Sequence, residues 1–524
     1  MTNKDEVKRK MVEKGIEVTQ QFNQAIDLIE FRNRNVFVTG RAGTGKSTLL
    51  RYLRTITSKK VVVLSPTGVS ALNVQGQTIH SFFRFKPDIT ISKIKKIVKK
   101  ASNNIYQKLD TIIIDEVSMV RADIMDCMDR FMRINCNNKL PFAGKQIVLF
   151  GDLYQLPPVI TSGEKKLFTE RYSTGYFFSS DVMKQMRFDI IELDRIFRQH
   201  DSNFIEILNH IRNNTITEEM LDVLNSRYFP DFEPDDNSFF IFLTTRNDHA
   251  LKINEHRLKK LPGKEYVFKA TVKGDFEHSS YPTDEMLRVK KDAQVMLLNN
   301  DSNGRWVNGS IGRIIHVLPE SDVIVVKLSN GEDVEVTPYE WDIFRYIYNE
   351  NIDQIETEKI GVFIQFPLRL SWAVTIHKAQ GKTFDKVILD IGPGAFSPGQ
   401  VYVGISRCAS LDGLVLKRKI KKKDIFIDWN VVDFMTSYRY ALSESAMPLK
   451  EKMRLITEAI AKGRELEIVY LKNNDEKSIR TILPEYAGEM EYMGIKFMGV
   501  RAFCYKKNEL RNFRIDRILS LRLL

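Results

Sequence analysis

The stretch "NVFVTGRAGTGKSTLLRYL", residues 35–53, decides the fold. A short β-branched, apolar run ends in glycine, and a helical pattern opens at Thr48. Between them residues 40–47 read G-x-x-x-x-G-K-S. A strand that enters a helix through such a loop aims backbone N–H groups at one point, where the helix dipole also favours an anion. Gly40, Gly43 and Gly45 allow the chain to curl, and Thr44, Lys46, Ser47 and Thr48 complete a cradle for the phosphates of ATP. Lys46 is expected to reach the β- and γ-phosphates, and Ser47 to place its hydroxyl on Mg²⁺.

Three further runs, "VVVLSP", "TIIIDE" and "QIVLFG", are nearly continuous in apolar residues, as strands buried on both faces are. Alternating with amphipathic segments over 36–193, they predict a parallel sheet flanked by helices, an α/β fold. A second set, "FIFLTT" (240–245), "LRLSWAVTIHKAQG" (368–381) and "KVILDIG" (386–392), predicts a second such domain. Between the sets, 269–361 is rich in Val and Gly with tight Asn/Gly turns, as a small inserted antiparallel barrel would be.

Asp115 and Glu116 stand at the end of "TIIIDE", suited to Mg²⁺ and to polarising the attacking water. In "VLFGDLYQLPPV" (148–159) an apolar run stops at Gly-Asp, and Gln155 is then stiffened by Pro157 and Pro158. If this strand lies beside "TIIIDE", a neutral amide there hydrogen-bonds the terminal phosphate or the water and loses that bond on hydrolysis. Gln155 then reads as a sensor.

With 43% hydrophobic and 28% charged residues, the 524-residue chain is globular and long enough for three or four domains. Its net charge of +12 and pI near 9.2 favour a polyanionic partner, nucleic acid first. Four scattered cysteines fit reduced thiols rather than a disulfide framework or a metal site. The N-terminus has no apolar signal region and no run approaches a membrane span, so a cytoplasmic protein, a monomer in solution, is expected.

Further blocks, in order, resemble those of superfamily-one DNA helicases in the branch of RecD and the Pif helicases. "SPTGVSALNVQGQTIHSFF" (65–83) resembles the first DNA-contacting block, and "LDRIFRQ" (193–199) carries Arg198, expected to act across the cleft. "SWAVTIHKAQGKTFDKV" (371–387) and "VYVGISRCASLDGL" (401–414), with Arg407, resemble the last two. The resemblance covers about residues 18–430 and implies two RecA-like domains, 1–193 and 194–268 with 362–430. Such a motor closes on ATP and walks 5′ to 3′ on single-stranded DNA, unwinding duplex, forked or structured DNA. Arg198 and Arg407 then stabilise transition-state charge. Thr67, Gly68, Thr78, His80 and Ser81 suit a sugar–phosphate backbone, as do Thr375, His377, Lys378 and Gln380. Gly381 and Lys382 lie toward the nucleotide. Phe82, Phe83, Tyr154 and Trp372 offer rings for bases. The basic "ISKIKKIVKK" (91–100), within 84–104, falls where the family carries its strand-separating wedge, or is a solvated amphipathic helix. The family reads adenine with a Gln in an E-Q-x-x-A pattern; here Phe22 takes that place, so either Gln21 or Gln24 serves instead or the base is gripped loosely, with nucleotide selectivity left open.

After a linker at 431–447, residues 448–524 resemble a WYL domain through Arg511, Phe513, Arg514, Asp516 and Arg517, although "KFMGV" replaces the naming triplet. Arg501, Arg511 and Arg514 suit phosphate recognition, with Arg514 toward DNA. A rival reading is an ATP-switched DNA-binding regulator whose WYL-like end senses a ligand.

Overall fold

The computed structural model describes residues 19–97, 105–160, 164, 168–199, 201–235, 238–472 and 474–524. Positions through Leu208 with Glu218–Ile425 form one compact unit, and Asn209–Thr217 with Phe426–Leu524 a second.

In the first unit, β1 (Val36–Gly40), β2 (Val61–Ser65), β3 (Gln77–Thr78), β4 (Thr111–Ile114), β5 (Gln146–Phe150) and β6 (Asp189–Leu193) form a six-stranded sheet ordered β3-β2-β4-β5-β1-β6. Every pairing is parallel, and β5 pairs with β4 (Ile113 opposite Val148) and with β1 (Val36 opposite Val148). The ends of β1, β4 and β5 therefore carry Gly40, Asp115 and Gly151 to one rim. Val36, Val38, Ile112, Ile114, Val148 and Phe150 are wholly buried, as a sheet covered on both faces requires. Leu49, Leu50 and Leu53 on the helix Lys46–Ile56 join that core and fix the phosphate loop above it. A second parallel sheet orders Ala373–Thr375, Ile241–Thr244, Val387–Asp390 and Leu414–Leu416.

The stretch expected as one small barrel is divided among antiparallel ladders of five, three and two strands. Its long hairpin, Tyr339–Asn349 with Gln354–Gln365, reaches back to the first sheet. There β2 pairs with β3 only at Leu64 and Ser65, which leaves Val63 at an open edge. The Tyr346 hydroxyl fills the gap, accepting from Val63 N–H (3.1 Å) and donating to its carbonyl (3.5 Å). Asp353 pairs with Lys60 at 2.7 Å. Of the expected wedge, residues 98–104 lie outside the described residues. Ile91–Lys93 is a single 3₁₀ turn followed by non-helical chain to 97, so the helical reading fails over that part.

The second unit has its own core, with Ile456, Leu466, Ile468, Ile482 and Val500 wholly buried between the helix Leu449–Lys462 and a five-stranded antiparallel sheet. The expected linker is instead the helix Trp429–Ala446, whose Val431, Val432 and Met435 are buried. Its Arg439 forms a buried ion pair with Asp475, and Ser443 donates to the Leu519 carbonyl (2.7 Å). These anchors make it part of the unit.

Candidate nucleotide site and adjoining groove

The phosphate loop leaves β1 and turns at Gly43 (φ +80°), where a Cβ would lie 2.5 Å from Arg198 Cβ, so only glycine fits. Thr44 Oγ1 donates to the Arg41 carbonyl (2.9 Å). Lys46 Nζ donates to the carbonyls of Gly40 (2.8 Å) and Arg41 (3.0 Å), which holds the ammonium over the loop. Ser47 and Thr48 are exposed at the start of the helix.

Asp115 is 7% exposed, and burial with the Glu116 charge beside it pushes its carboxyl up to about 7. Glu116 is also raised by burial, against the pull of Lys46, Arg407 and a hydrogen bond from Gln380. Its backbone sits in the left-handed region (φ +50°), a conformation non-glycine residues hold mainly where the surroundings impose it.

Gln155 is buried, and its Nε2 donates to Asp152 Oδ2 (3.1 Å). Gln380 Nε2 donates to Glu116 Oε2 (3.1 Å) and to Gln155 Oε1 (3.3 Å). One amide from the second sheet thus bridges the carboxylate at the end of β4 and the amide beyond β5. Gln380 was expected on DNA; here it faces the nucleotide residues.

Arg407 is 1% exposed, and burial, then Arg198, lowers its guanidinium to about 9. It donates to the Val403 carbonyl (3.0 Å), the Lys382 carbonyl (3.3 Å) and Ser406 Oγ (2.9 Å). Arg198, lowered by burial, donates to the carbonyls of Gly381 (3.1 Å) and Ser406 (3.4 Å). These two guanidiniums act on one another, and Arg407 and Lys46 both act on Glu116, a gathering of cationic groups suited to a polyphosphate. Burial, then Arg369, lowers Lys382 to about 8, and its ammonium donates to Asn308. Residues the sequence did not single out complete the cluster: Asp152, Gln199, which donates to the carbonyls of Ser406 (3.1 Å) and Cys408 (3.3 Å), and Tyr402, whose hydroxyl accepts from Ala42 N–H at 3.1 Å.

The two glutamines ahead of the phosphate loop differ in their surroundings. Gln24 is on the exposed side of the helix Gln20–Ile26, and Gln21 donates to Asp194 Oδ2 (3.2 Å). Phe22 is buried, with Cζ 3.1 Å from where a Cβ of Gly45 would stand.

Thr67, Gly68, Thr78, His80 and Ser81 share the wall of one cavity of about 1390 Å³, opposite Phe276, Ser280 and Arg345 of the inserted stretch. Thr67 and Thr78 also cap short helices, accepting from Ser70 N–H (3.2 Å) and Ser81 N–H (3.1 Å). Burial lowers the His80 and His377 imidazoles. Thr375 is 3% exposed and accepts from Lys378 N–H (3.4 Å), so of that block Lys378 is the exposed side chain. The aromatic expectations fail for a packing reason. Phe82, Phe83, Tyr154 and Trp372 are all buried, and Phe82 stacks edge-on with Phe83, Tyr106 and Tyr346. In the second unit Arg514 pairs with Asp516 (2.6 Å) and lies over the Phe497 ring, while Arg501 and Arg511 pair with Glu485 and Glu509. Among the described residues no helix is long and apolar enough to cross a membrane.

Residues 16–221 match the PIF1-like helicase family. The ATP-dependent DNA helicase Pif1 of Bdellovibrio bacteriovorus is 31% identical over 434 residues, 81% of this chain and 92% of that protein. Human ATP-dependent DNA helicase PIF1 is 31% identical over 73% of this chain and 58% of its own. The crystal structure of Bacteroides sp Pif1 with ADP-AlF4 superposes with a TM-score of 0.75 at 37% identity, covering 81% of this chain and 97% of that one. The same helicase bound to ssDNA covers the same shares at a TM-score of 0.59.

Proposed function

Because the chain belongs to the PIF1-like helicase family, we propose that it is an ATP-dependent DNA helicase that converts hydrolysis at the phosphate loop into movement along single-stranded DNA. The observation that carries this is the Gln380 amide, shared between Glu116 and Gln155. It joins the block expected on the DNA side to the two residues that face the reacting phosphate.

In this reading Lys46 holds the β- and γ-phosphates, and Glu116 accepts hydrogen bonding from the attacking water. Its raised proton affinity suits partial proton abstraction, and the charges of Lys46 and Arg407 oppose that rise. Arg198 and Arg407 neutralise charge developing on the transferred phosphoryl group. Gln155 loses a partner when that group departs and shifts Gln380, hence the segment Thr375–Lys382. The buried Asp115 carboxyl beside the half-buried Glu116 carboxyl, both of raised proton affinity, is a donor set suited to a divalent cation. Ser47 and Asp115 would hold Mg²⁺, which supplies charge neutralisation at the phosphates.

The strand follows the groove walled by Thr67, Gly68, Thr78, His80 and Ser81, with non-specific backbone contacts in keeping with the net charge of +12. Translocation runs 5′ to 3′, and forked or tailed DNA is the substrate, on the strength of the family resemblance. Better agreement with the ADP-AlF4 complex than with the ssDNA complex supports reading this arrangement as the DNA-free one. The antiparallel ladders of 269–361 act as the insertion of the second motor domain, and 84–104 as the wedge. The C-terminal unit is a WYL-like accessory domain in this reading, supported by its Arg511-to-Arg517 pattern and antiparallel sheet. The carboxylate neighbours of Arg501, Arg511 and Arg514 support a regulatory or partner-binding role over phosphate binding. A cytoplasmic monomer fits the composition.

Unwinding of a duplex with a 5′ single-stranded tail is the deciding experiment. Strand separation with ATP on that substrate, little on a 3′-tailed one, and none with Lys46→Ala are expected. ATP hydrolysis without strand separation would favour the switched regulator instead.

A further inference from the structure

The helix Gln400–Ile405 is short, yet it meets three parts of the nucleotide rim. Its N-terminal neighbour Gly399 (φ +71°) lies so close to the 154–155 loop that a Cβ would stand 2.4 Å from the Tyr154 carbonyl oxygen. The Ser406 carbonyl after its last turn accepts from Arg198 and Gln199. Midway, Tyr402 is 4% exposed and sets its hydroxyl 3.1 Å from Ala42 N, a contact spanning 360 residues. Ala42 immediately precedes the Gly43 turn of the phosphate loop, and Tyr402 is near enough to Arg198 and Arg407 to act on both electrostatically.

A phenol both accepts and donates, so one hydroxyl has two uses at this place. We propose that the Tyr402 hydroxyl is a positioning group that distinguishes a bound triphosphate from a diphosphate, exchanging its bond to Ala42 N–H for one donated to the terminal phosphate. This deepens the ATP-site assignment above and rests on it. In that assignment Arg198 and Arg407 supply charge, and both are already held by carbonyls. The phenol, bonded to the loop itself, is placed to respond to what the loop holds. A diphosphate presents no oxygen at that position, so the bond to Ala42 persists. A triphosphate draws the hydroxyl over, and the helix moves with it. Gly399 at one end then carries the shift to the Gln155 loop, and Ser406 at the other to Arg198.

The test needs binding alone. Dissociation constants for Mg²⁺-ADP and for a non-hydrolysable Mg²⁺-ATP analogue are measured on the full chain and on Tyr402→Phe. Loss of a hydrogen bond to a charged acceptor predicts analogue binding weakened about tenfold or more, with ADP within about twofold. Equal weakening of both ligands, which a purely structural tyrosine would give, overturns the proposal, as does no change in either. Replacement of Tyr402 by 3-fluorotyrosine, a better donor and poorer acceptor of nearly the same shape, is expected to raise the preference for the analogue. An unchanged preference there overturns it even if the phenylalanine variant folds poorly. The motor reading fails separately: a wild-type chain that binds the analogue but shows no DNA-stimulated hydrolysis would refute it while the binding ratio stayed readable.

Discussion

Asp115→Asn is expected to stabilise the nucleotide-free protein at pH 8, although it removes a residue the reaction needs. Asp115 is 7% exposed, sits against the Glu116 carboxylate, and has its carboxyl pushed from 3.8 to about 7. An acid whose affinity for its proton is higher folded than unfolded stabilises the fold at low pH. That contribution is lost as pH rises from about 4 through about 7. At pH 8 the full cost of the buried charge, at about 1.4 kcal/mol per pH unit, is about 4 kcal/mol. Asparagine removes the charge but buries an amide whose unmet hydrogen bonds cost about 1–3 kcal/mol, so the net gain is about 1–3 kcal/mol. For a unit of this size that is a rise in Tm of roughly 1–3 °C. At pH 5 the folded carboxyl is protonated while the unfolded one is ionised, so only about 1–2 kcal/mol of that cost has accrued; the amide's own cost offsets it, and the gain should vanish. Thermal melts of both proteins at pH 5 and pH 8, with and without Mg²⁺-ADP, measure this. Mg²⁺-ADP should favour the wild type and reverse the order at pH 8. A variant that melts at or below the wild type at pH 8 without ligand, or gains equally at both pH values, refutes the assignment of a costly buried carboxylate pair.

Gln380→Ala should lower kcat for DNA-stimulated hydrolysis at least tenfold while nucleotide affinity stays within a few-fold, because Glu116 and Gln155 lose their shared donor. Stimulation by DNA at the wild-type ratio in steady-state assays would separate Gln380 from the coupling. In the second unit, Arg439→Ala leaves Asp475, a residue 5% exposed, as an uncompensated buried charge, and should cost about 3–5 kcal/mol. Hydrogen exchange over 429–524 should rise accordingly; protection equal to wild type would mean that the ion pair contributes nothing to holding the helix Trp429–Ala446.

Much of the site was legible because it follows strand ends. Continuous apolar runs at 36–38, 111–114 and 147–150 predict buried parallel strands, and a parallel sheet gathers the residues after each run at one rim. The position of Gln155 depended on strand order, which the pairing of β5 with both β1 and β4 supplies. The helix Trp429–Ala446 was hidden because its inward face carries Thr436, Arg439 and Ser443, which break the apolar periodicity; Thr436 bonds back to the Val432 carbonyl of its own helix, while Arg439 and Ser443 find partners only in the folded unit. Phe82 and Tyr154 misled for the opposite reason. A ring beside a functional loop reads alike whether it meets a base or a neighbouring ring. Gln380 and Tyr402 act across 225 and 360 residues, and no local pattern carries a contact of that span.

The Tyr346 contact with Val63 also bears on how the chain is made. The edge of β2 is closed by a side chain 283 residues later in sequence. At about 5–20 residues per second of synthesis, that edge waits roughly 15–60 s for its cover. Phe82, which leans on the same tyrosine, waits with it. An open strand edge beside exposed rings is what intermolecular pairing needs. The hairpin 339–365 thus does for the nascent chain what a holding chaperone does until it arrives, and the vulnerable interval is set by gene order rather than by the stability of the finished fold.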